Sequence, residues 1–155
     1  MTEPFKMESV LRHRKHLEEA AQMAFAAALR RLTQARHALE DLIRNQQAYQ
    51  QELKRKMQAN ARADELVRYH RYLGRLDREI GSQTDIVEAL EVEKEEKRAA
   101  LLEALKDRKV LEKLKAHYLE TEARGQWAQE QKLMNEAAVN RYQNRQRQAD
   151  ATEKG

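Results

Sequence analysis

The sequence predicts an all-α protein: a long antiparallel two-helix coiled-coil hairpin with a C-terminal helical overhang. Three observations carry that reading. Ala, Glu, Lys, Arg, Gln and Leu dominate, with 36% charged residues, 5% aromatic, one Pro and four Gly, the composition of long helices and coiled coils. Apolar residues recur at spacings of three and four over two tracts, 7–57 and 66–142, the helical period. Between the tracts lies Gln58-Ala-Asn-Ala-Arg-Ala-Asp64, the one plausible reversal.

The first helix is expected to begin just after Pro4, near Phe5. Its clearest repeat is Phe25, Ala28, Leu32, Ala35, Leu39, Leu42, Gln46, Tyr49 and Leu53, the alternating three-four signature of a left-handed coiled coil. Upstream, Met7, Val10, Leu17, Ala21, Ala24 and Ala28 follow the same rule in a shifted phase. The two phases meet near residues 24–28, as in a stutter that locally unwinds a supercoil.

In the connection, Asn60 is a poor helix former because its side chain competes for local backbone groups. Asp64 is placed to cap the second helix by accepting from the N–H of Leu66 or Val67. A stripe of apolar side chains must be buried somewhere, and a short connection makes the other helix the nearest partner. The connection contains neither Gly nor Pro, so an uninterrupted helix pairing with a second copy is the structural alternative.

The second helix repeats at Leu66, Tyr69, Leu73, Leu76, Ile80, Gln83, Val87 and Leu90, then at Leu101, Ala104, Leu111 and Tyr118. Lys94 and Lys97 fall on the same stripe, where long basic side chains snorkel out of a thin seam. Gly81-Ser82 is the expected kink point. Pairing outward from the turn places residues opposite each other when their numbers add to about 124, so Tyr49 faces Leu76, Leu42 faces Gln83 and Val10 faces Leu114. Residues 1–142 read as one hairpin domain with its turn near 58–64. Everything after about Leu119 overhangs as a single helix, and the polar tail 143–155 reads as disordered because it has no apolar face.

Composition also bounds function. The 30 basic and 26 acidic side chains are interspersed and give a net charge of +4, which describes a solvated surface and does not argue for nucleic acid. There is no cysteine, hence no disulfide framework and no thiol chemistry. No apolar run approaches the ~20 residues of a membrane span. Met1-Thr-Glu-Pro-Phe lacks the features of a signal peptide, and a reducing cytosol is the expected compartment.

No catalytic residue, cofactor site or metal site is expected. His13 and His16 are three apart, but Arg14 and Lys15 lie between them and no further ligand pattern is near. Glu91, Glu93, Glu95 and Glu96 read as a charge-patterned face, since a two-helix rod offers no desolvated cleft to raise a carboxyl pKa. What remains is surface. Tyr72 lies beside the seam with Leu76 four residues on, flanked by Arg68, Arg71 and Arg75, a composition suited to protein contacts. Trp127, Leu133, Met134, Val139 and Tyr142 lie where the chain offers no partner helix, so an external partner or self-association is expected there.

An ordered set of segments resembles the FliJ family of flagellar type III export proteins. The set opens with Phe5-Lys-Met-Glu-Ser-Val-Leu-Arg-His-Arg14 and continues with Leu42 and Tyr49 before the turn. After the turn come Tyr69-His-Arg-Tyr-Leu-Gly-Arg-Leu76 with Ile80 and Gln83, Arg108-Lys-Val-Leu-Glu-Lys-Leu-Lys-Ala-His-Tyr118, and Asn135-Glu-Ala-Ala-Val-Asn-Arg141. The resemblance implies a cytoplasmic, non-enzymatic adaptor, peripheral at the inner membrane. It would bind the hexameric export ATPase like a rotary-ATPase stalk, contact the cytoplasmic and linker part of the membrane export gate, and handle export chaperones. It assigns Leu42, Tyr49, Tyr72 and Leu76 to the gate. Glu79 departs from the small residue expected at that place. Phe5, Val10 and Leu11, with Leu119, Trp127, Leu133, Met134 and Tyr142, would face the ATPase. Beside this reading stand a generic dimeric coiled-coil tether and a nucleic-acid-binding helical arm.

Overall fold

The computed structural model describes residues 4–154. They form an all-α helical hairpin of two helices packed against each other, α1 (Glu8–Gln58) and α2 (Ala63–Glu153). Among the described residues there is no strand. The chain divides into two units: unit 1, Met1–Arg12 with Arg108–Gly155, and unit 2, His13–Asp107.

Unit 2 contains the turn. The N–H of Ala61 donates to the carbonyl of Lys56 at 3.1 Å, the six-to-one bond of a Schellman motif. That motif needs a left-handed residue just past the helix, and Asn60 supplies it with φ 55°. Asn tolerates this conformation better than other non-glycine residues, so the turn needs no glycine. The carbonyl of Arg62 accepts the first bond of α2, from Leu66 at 3.1 Å. Arg62 therefore occupies the cap position, and Asp64 lies inside the first turn, where its charge meets the positive end of the helix dipole and pairs with Arg68 at 3.5 Å. Lys56 bridges the turn to Glu65 at 3.0 Å. Its hydrogen bond to Glu65, and then the charge of that carboxylate, raise its pKa above the ordinary lysine value.

The seam of unit 2 has one register. Leu32, Ala35 and Val87 are buried together, with Leu39 and Leu90 packed against them. Counting back by sevens from Leu32 reaches Phe25 and Glu18, and Glu18 is indeed buried at 8% exposure, whereas Leu17 is 50% exposed. The expected stutter is absent: the phase through Leu17 and Ala24 is not the seam. A register is shared by every turn of a packed helix, so the well-filled run from Phe25 onward decides which neighbour of a Leu-Glu pair turns inward. Arg14, also on the seam, donates to the backbone carbonyl of Asp107 at 3.0 Å. On α2, Lys94 is half-buried at its seam position, and α2 stays helical through Gly81 and Ser82.

Cross-helix polar contacts keep the antiparallel pairing near the expected register. Arg31 meets Glu93 at 2.6 Å, Arg36 meets Glu91 at 2.6 Å, and Gln46 hydrogen-bonds Asp77. Gln83 is half-buried and donates to the carbonyl of Ala35 at 3.0 Å. Exposed ion pairs contribute only about 0–1 kcal/mol each. The larger stabilisation comes from buried leucines, at about 1.5–3 kcal/mol per side chain.

In unit 1, Glu8 begins α1, three residues later than expected. The short segment before it closes with the N–H of Glu8 on the carbonyl of Phe5 at 3.2 Å. Leu11 and Leu111 are fully buried, at 1% and 2% exposure. Val10 and Leu114, expected to face each other, are both exposed, again because the seam lies one residue away. Phe5 packs on Tyr118 with ring centroids 5.6 Å apart, and Lys115 pairs with Glu8 at 2.8 Å. Beyond Glu122 every described residue of α2 is exposed. The helix nonetheless continues through Glu153, where the sequence reading expects disorder. Ala, Gln and Arg are strong helix formers, and they are frequent after Tyr142. Met1–Glu3 and Gly155, parts of the terminal segments discussed above, lie outside the described residues.

Candidate protein-binding surfaces

Two open grooves in unit 2 take in most of the residues assigned to a gate-facing surface. The first is lined by Tyr49, Arg68, Tyr69 and Tyr72. Tyr49 comes from α1 and the rest from α2, so the slot exists only because the helices pair. The Tyr49 ring lies 4.3 Å from that of Tyr72 and 5.9 Å from that of Tyr69. The second groove is lined by Leu42, Arg75, Arg78, Glu79, Ser82 and Gln83. Leu42, Tyr49 and Tyr72 are half-buried and reachable. Leu76 is 3% exposed, so it supports this surface from the seam and offers no contact of its own. The sequence places Tyr69 both on the seam stripe and in the cluster after the turn, and the structure puts it in the slot; Arg78 is the lining residue that the sequence reading leaves out. The spacing of Arg68, Arg71, Arg75 and Arg78 was the available signal.

Unit 1 separates the residues expected to face an ATPase. Phe5 and Leu119 line one groove with Pro4, Tyr118 and Glu122. Trp127 lines another with Gln131, Asn135 and Val139. Leu133, Met134 and Tyr142 are exposed outside both. At 3.6 residues per turn, Met134 stands nearly above Trp127 while Leu133 points about a third of a turn away. Leu11 is buried in the seam, and Val10 is exposed beside it.

His13 is exposed, and His16 meets Glu19 at 3.7 Å. Among the described residues, no three His, Asp or Glu side chains come together as a metal site. No helix among them is long and apolar enough to cross a membrane. Around Val92 and Ala99, Glu88, Glu91, Glu95 and Glu96 edge an open groove on α2.

The fold and these surfaces define a coiled-coil hairpin whose chemistry is carried by side chains displayed along two helices. A family model, that of the flagellar FliJ protein, matches residues 3–147. The chain belongs to that family. Membership gives it a role in flagellar protein export, among components known as non-enzymatic. No curated relative and no solved structure matches the chain.

Proposed function

We propose that this chain is an adaptor of flagellar type III export that binds the hexameric export ATPase as a central stalk would. It also contacts the cytoplasmic and linker part of the export gate and receives export chaperones, at the cytoplasmic face of the inner membrane. The observation that carries this reading is the family match over residues 3–147. The half-buried tyrosines and leucine of unit 2 and the exposed aromatic and aliphatic groups of unit 1 are compatible with two partners. Leu42, Tyr49 and Tyr72 meet the gate, with Leu76 holding them from beneath. Phe5, Leu119, Trp127, Met134 and Tyr142 meet the ATPase, with Val10 and Leu133 beside them and Leu11 fixing the start of α1, just after the segment that carries Phe5. The role is packing: binding an assembled ring better than free subunits shifts assembly by mass action.

Co-purification with the export ATPase and, separately, with the soluble part of the gate tests the reading. Retention of both partners is expected. Retention of neither overturns it.

A further inference from the structure

Four arginines of α2, Arg68, Arg71, Arg75 and Arg78, follow one another at spacings of three, four and three, which puts them on one face of the helix. All four are exposed. Arg68 is answered by Asp64 at 3.5 Å. Arg71, Arg75 and Arg78 have no ion pair or hydrogen bond among the described residues. Other arginines of the chain are paired, Arg31 with Glu93, Arg36 with Glu91, Arg44 with Asp41 and Arg124 with Glu120. Arg12, Arg30, Arg55 and Arg62 stand singly and exposed among the described residues, so what sets the α2 row apart is that its members are consecutive on one face. Like charges three and four apart on a helix repel, so this row, with Asp64 at one end and Glu79 beside Arg75 and Arg78 at the other, stands as a net positive stripe centred on Arg71 and Arg75.

The row also joins the two grooves of unit 2. Arg68 lines the tyrosine slot with Tyr49 and Tyr72, and Arg75 and Arg78 line the groove over Leu42. We propose that this track binds an acidic, extended segment of a partner protein, with Arg71, Arg75 and Arg78 reading its carboxylates and the tyrosine slot taking an aromatic or aliphatic anchor. The proposal rests on the gate reading above and names the chemistry that surface selects.

The dimensions fit. From Arg68 to Arg78 the helix rises about 15 Å, which an extended segment of roughly five residues spans at ~3.3 Å each. Alternate side chains of such a segment face the same way, so Glu or Asp at every second position meets guanidinium groups whose Cβ atoms are about 5–6 Å apart. The guanidinium fork matches a carboxylate in two parallel hydrogen bonds. Glu79, which lines the Leu42 groove, repels a carboxylate placed there. The acidic residues therefore meet Arg71 and Arg75 first, and the Leu42 groove takes an uncharged side chain.

The test uses the full chain and the variant R71E/R75E/R78E, whose helicity should equal wild type because all three positions are exposed. Two probes are used: the soluble and linker part of the export gate, and a labelled peptide of about ten residues alternating Glu with Leu and carrying one Trp. The same peptide with Gln for every Glu is the control. The expected result is that charge reversal weakens gate binding at least about tenfold, that added salt weakens the wild-type complex, and that the Gln peptide binds at least about tenfold more weakly than the Glu peptide. Equal binding of the gate by wild type and variant overturns the proposal and leaves the adaptor reading standing. A gate fragment that binds neither overturns the gate reading, and the peptide pair then decides: Glu and Gln peptides bound alike, or neither bound, overturns the proposal. Arginine-dependent binding of single-stranded DNA or phosphatidylserine vesicles, with no binding of the Glu peptide, replaces it with a phosphate-binding surface.

Discussion

The ring of Tyr49 on α1 lies 4.3 Å, centroid to centroid, from the ring of Tyr72 on α2, tilted by 42°. An offset, tilted aromatic pair contributes about 0.5–1.5 kcal/mol beyond the area it buries. Tyr72 therefore serves two ends, packing the hairpin and presenting its outer edge. Tyr72→Ala should lower stability by roughly 1 kcal/mol and weaken gate binding as well, whereas Tyr72→Phe should keep the pair and most of the stability. Thermal unfolding followed by circular dichroism separates the two variants. Equal melting of wild type and Tyr72→Ala would show that the ring pair carries no stability.

The register of α1 gives a sharper contrast. Leu32 is buried at 1% exposure, and Leu17 is 50% exposed. Leu32→Ala should cost about 2–5 kcal/mol, at the low end because a two-helix seam repacks readily. Leu17→Ala should change stability by less than about 0.5 kcal/mol. Glu18→Leu exchanges a buried carboxylate that has a polar partner for an apolar side chain, so loss of the partner offsets the gain in apolar packing and the change should be smaller than that of Leu32→Ala. Urea titration of the three variants reads the result, and a large loss in Leu17→Ala would restore the stuttered register.

The turn hangs on Asn60, whose φ of 55° is the left-handed conformation. Asn60→Gly should be tolerated or slightly stabilising. Asn60→Val should cost about 1–2 kcal/mol, the penalty of forcing a branched side chain into that region. If both variants melt together, the hairpin does not depend on this turn. Lys56 and Glu65, paired across the same turn at 3.0 Å, add a pH-dependent part. Because the folded lysine has a raised pKa, this pair supports the fold fully below the ordinary lysine value of about 10.4 and loses its effect as pH rises through the folded value. Lys56→Met should remove that alkaline component. Both side chains are partly exposed, so salt should shrink it in part.

These residues show what sequence reasoning reaches here. From Phe25 to Leu53 the apolar period is unambiguous, and the structure follows it. At Leu17-Glu18 local hydrophobicity points to the leucine while the register of the longer run points to the glutamate. A register belongs to a whole helix, so the local signal loses. The stretch after Tyr142 reads as disordered for want of an apolar face, yet its intrinsic propensity keeps it helical through Glu153. Two helices in proper register also create the slot between Tyr49 and Tyr72, and one-dimensional spacing cannot show which side of a seam a tyrosine leans toward. Leu76 sits on the apolar stripe, and periodicity alone cannot say that only 3% of it stays exposed.

The last prediction concerns the part of α2 beyond Glu122. Every described residue there is exposed, including Trp127, Leu133, Met134 and Tyr142. Large apolar side chains gathered on one helix face suit a protein contact. Truncation after Glu122 removes none of the buried residues of either unit. It should leave the unfolding midpoint within a few degrees of the full chain, with helicity falling only in proportion to the residues lost. If the removed segment packs inside the export ATPase ring, its binding energy favours the hexamer over free subunits, and that effect depends on concentration. The truncated chain should therefore fail to stimulate ATP hydrolysis when the ATPase is dilute. The difference from full length should shrink when the ATPase is concentrated enough to assemble unaided. Trp127→Ala and Met134→Ala, nearly superposed on one face of the helix, should reproduce much of that loss, and Leu133→Ala less of it. Full stimulation by the truncated chain at low ATPase concentration would move the contact to the groove of Phe5 and Leu119, which keeps Phe5, Tyr118, Leu119 and Glu122 and loses only Ala123 and Gln126.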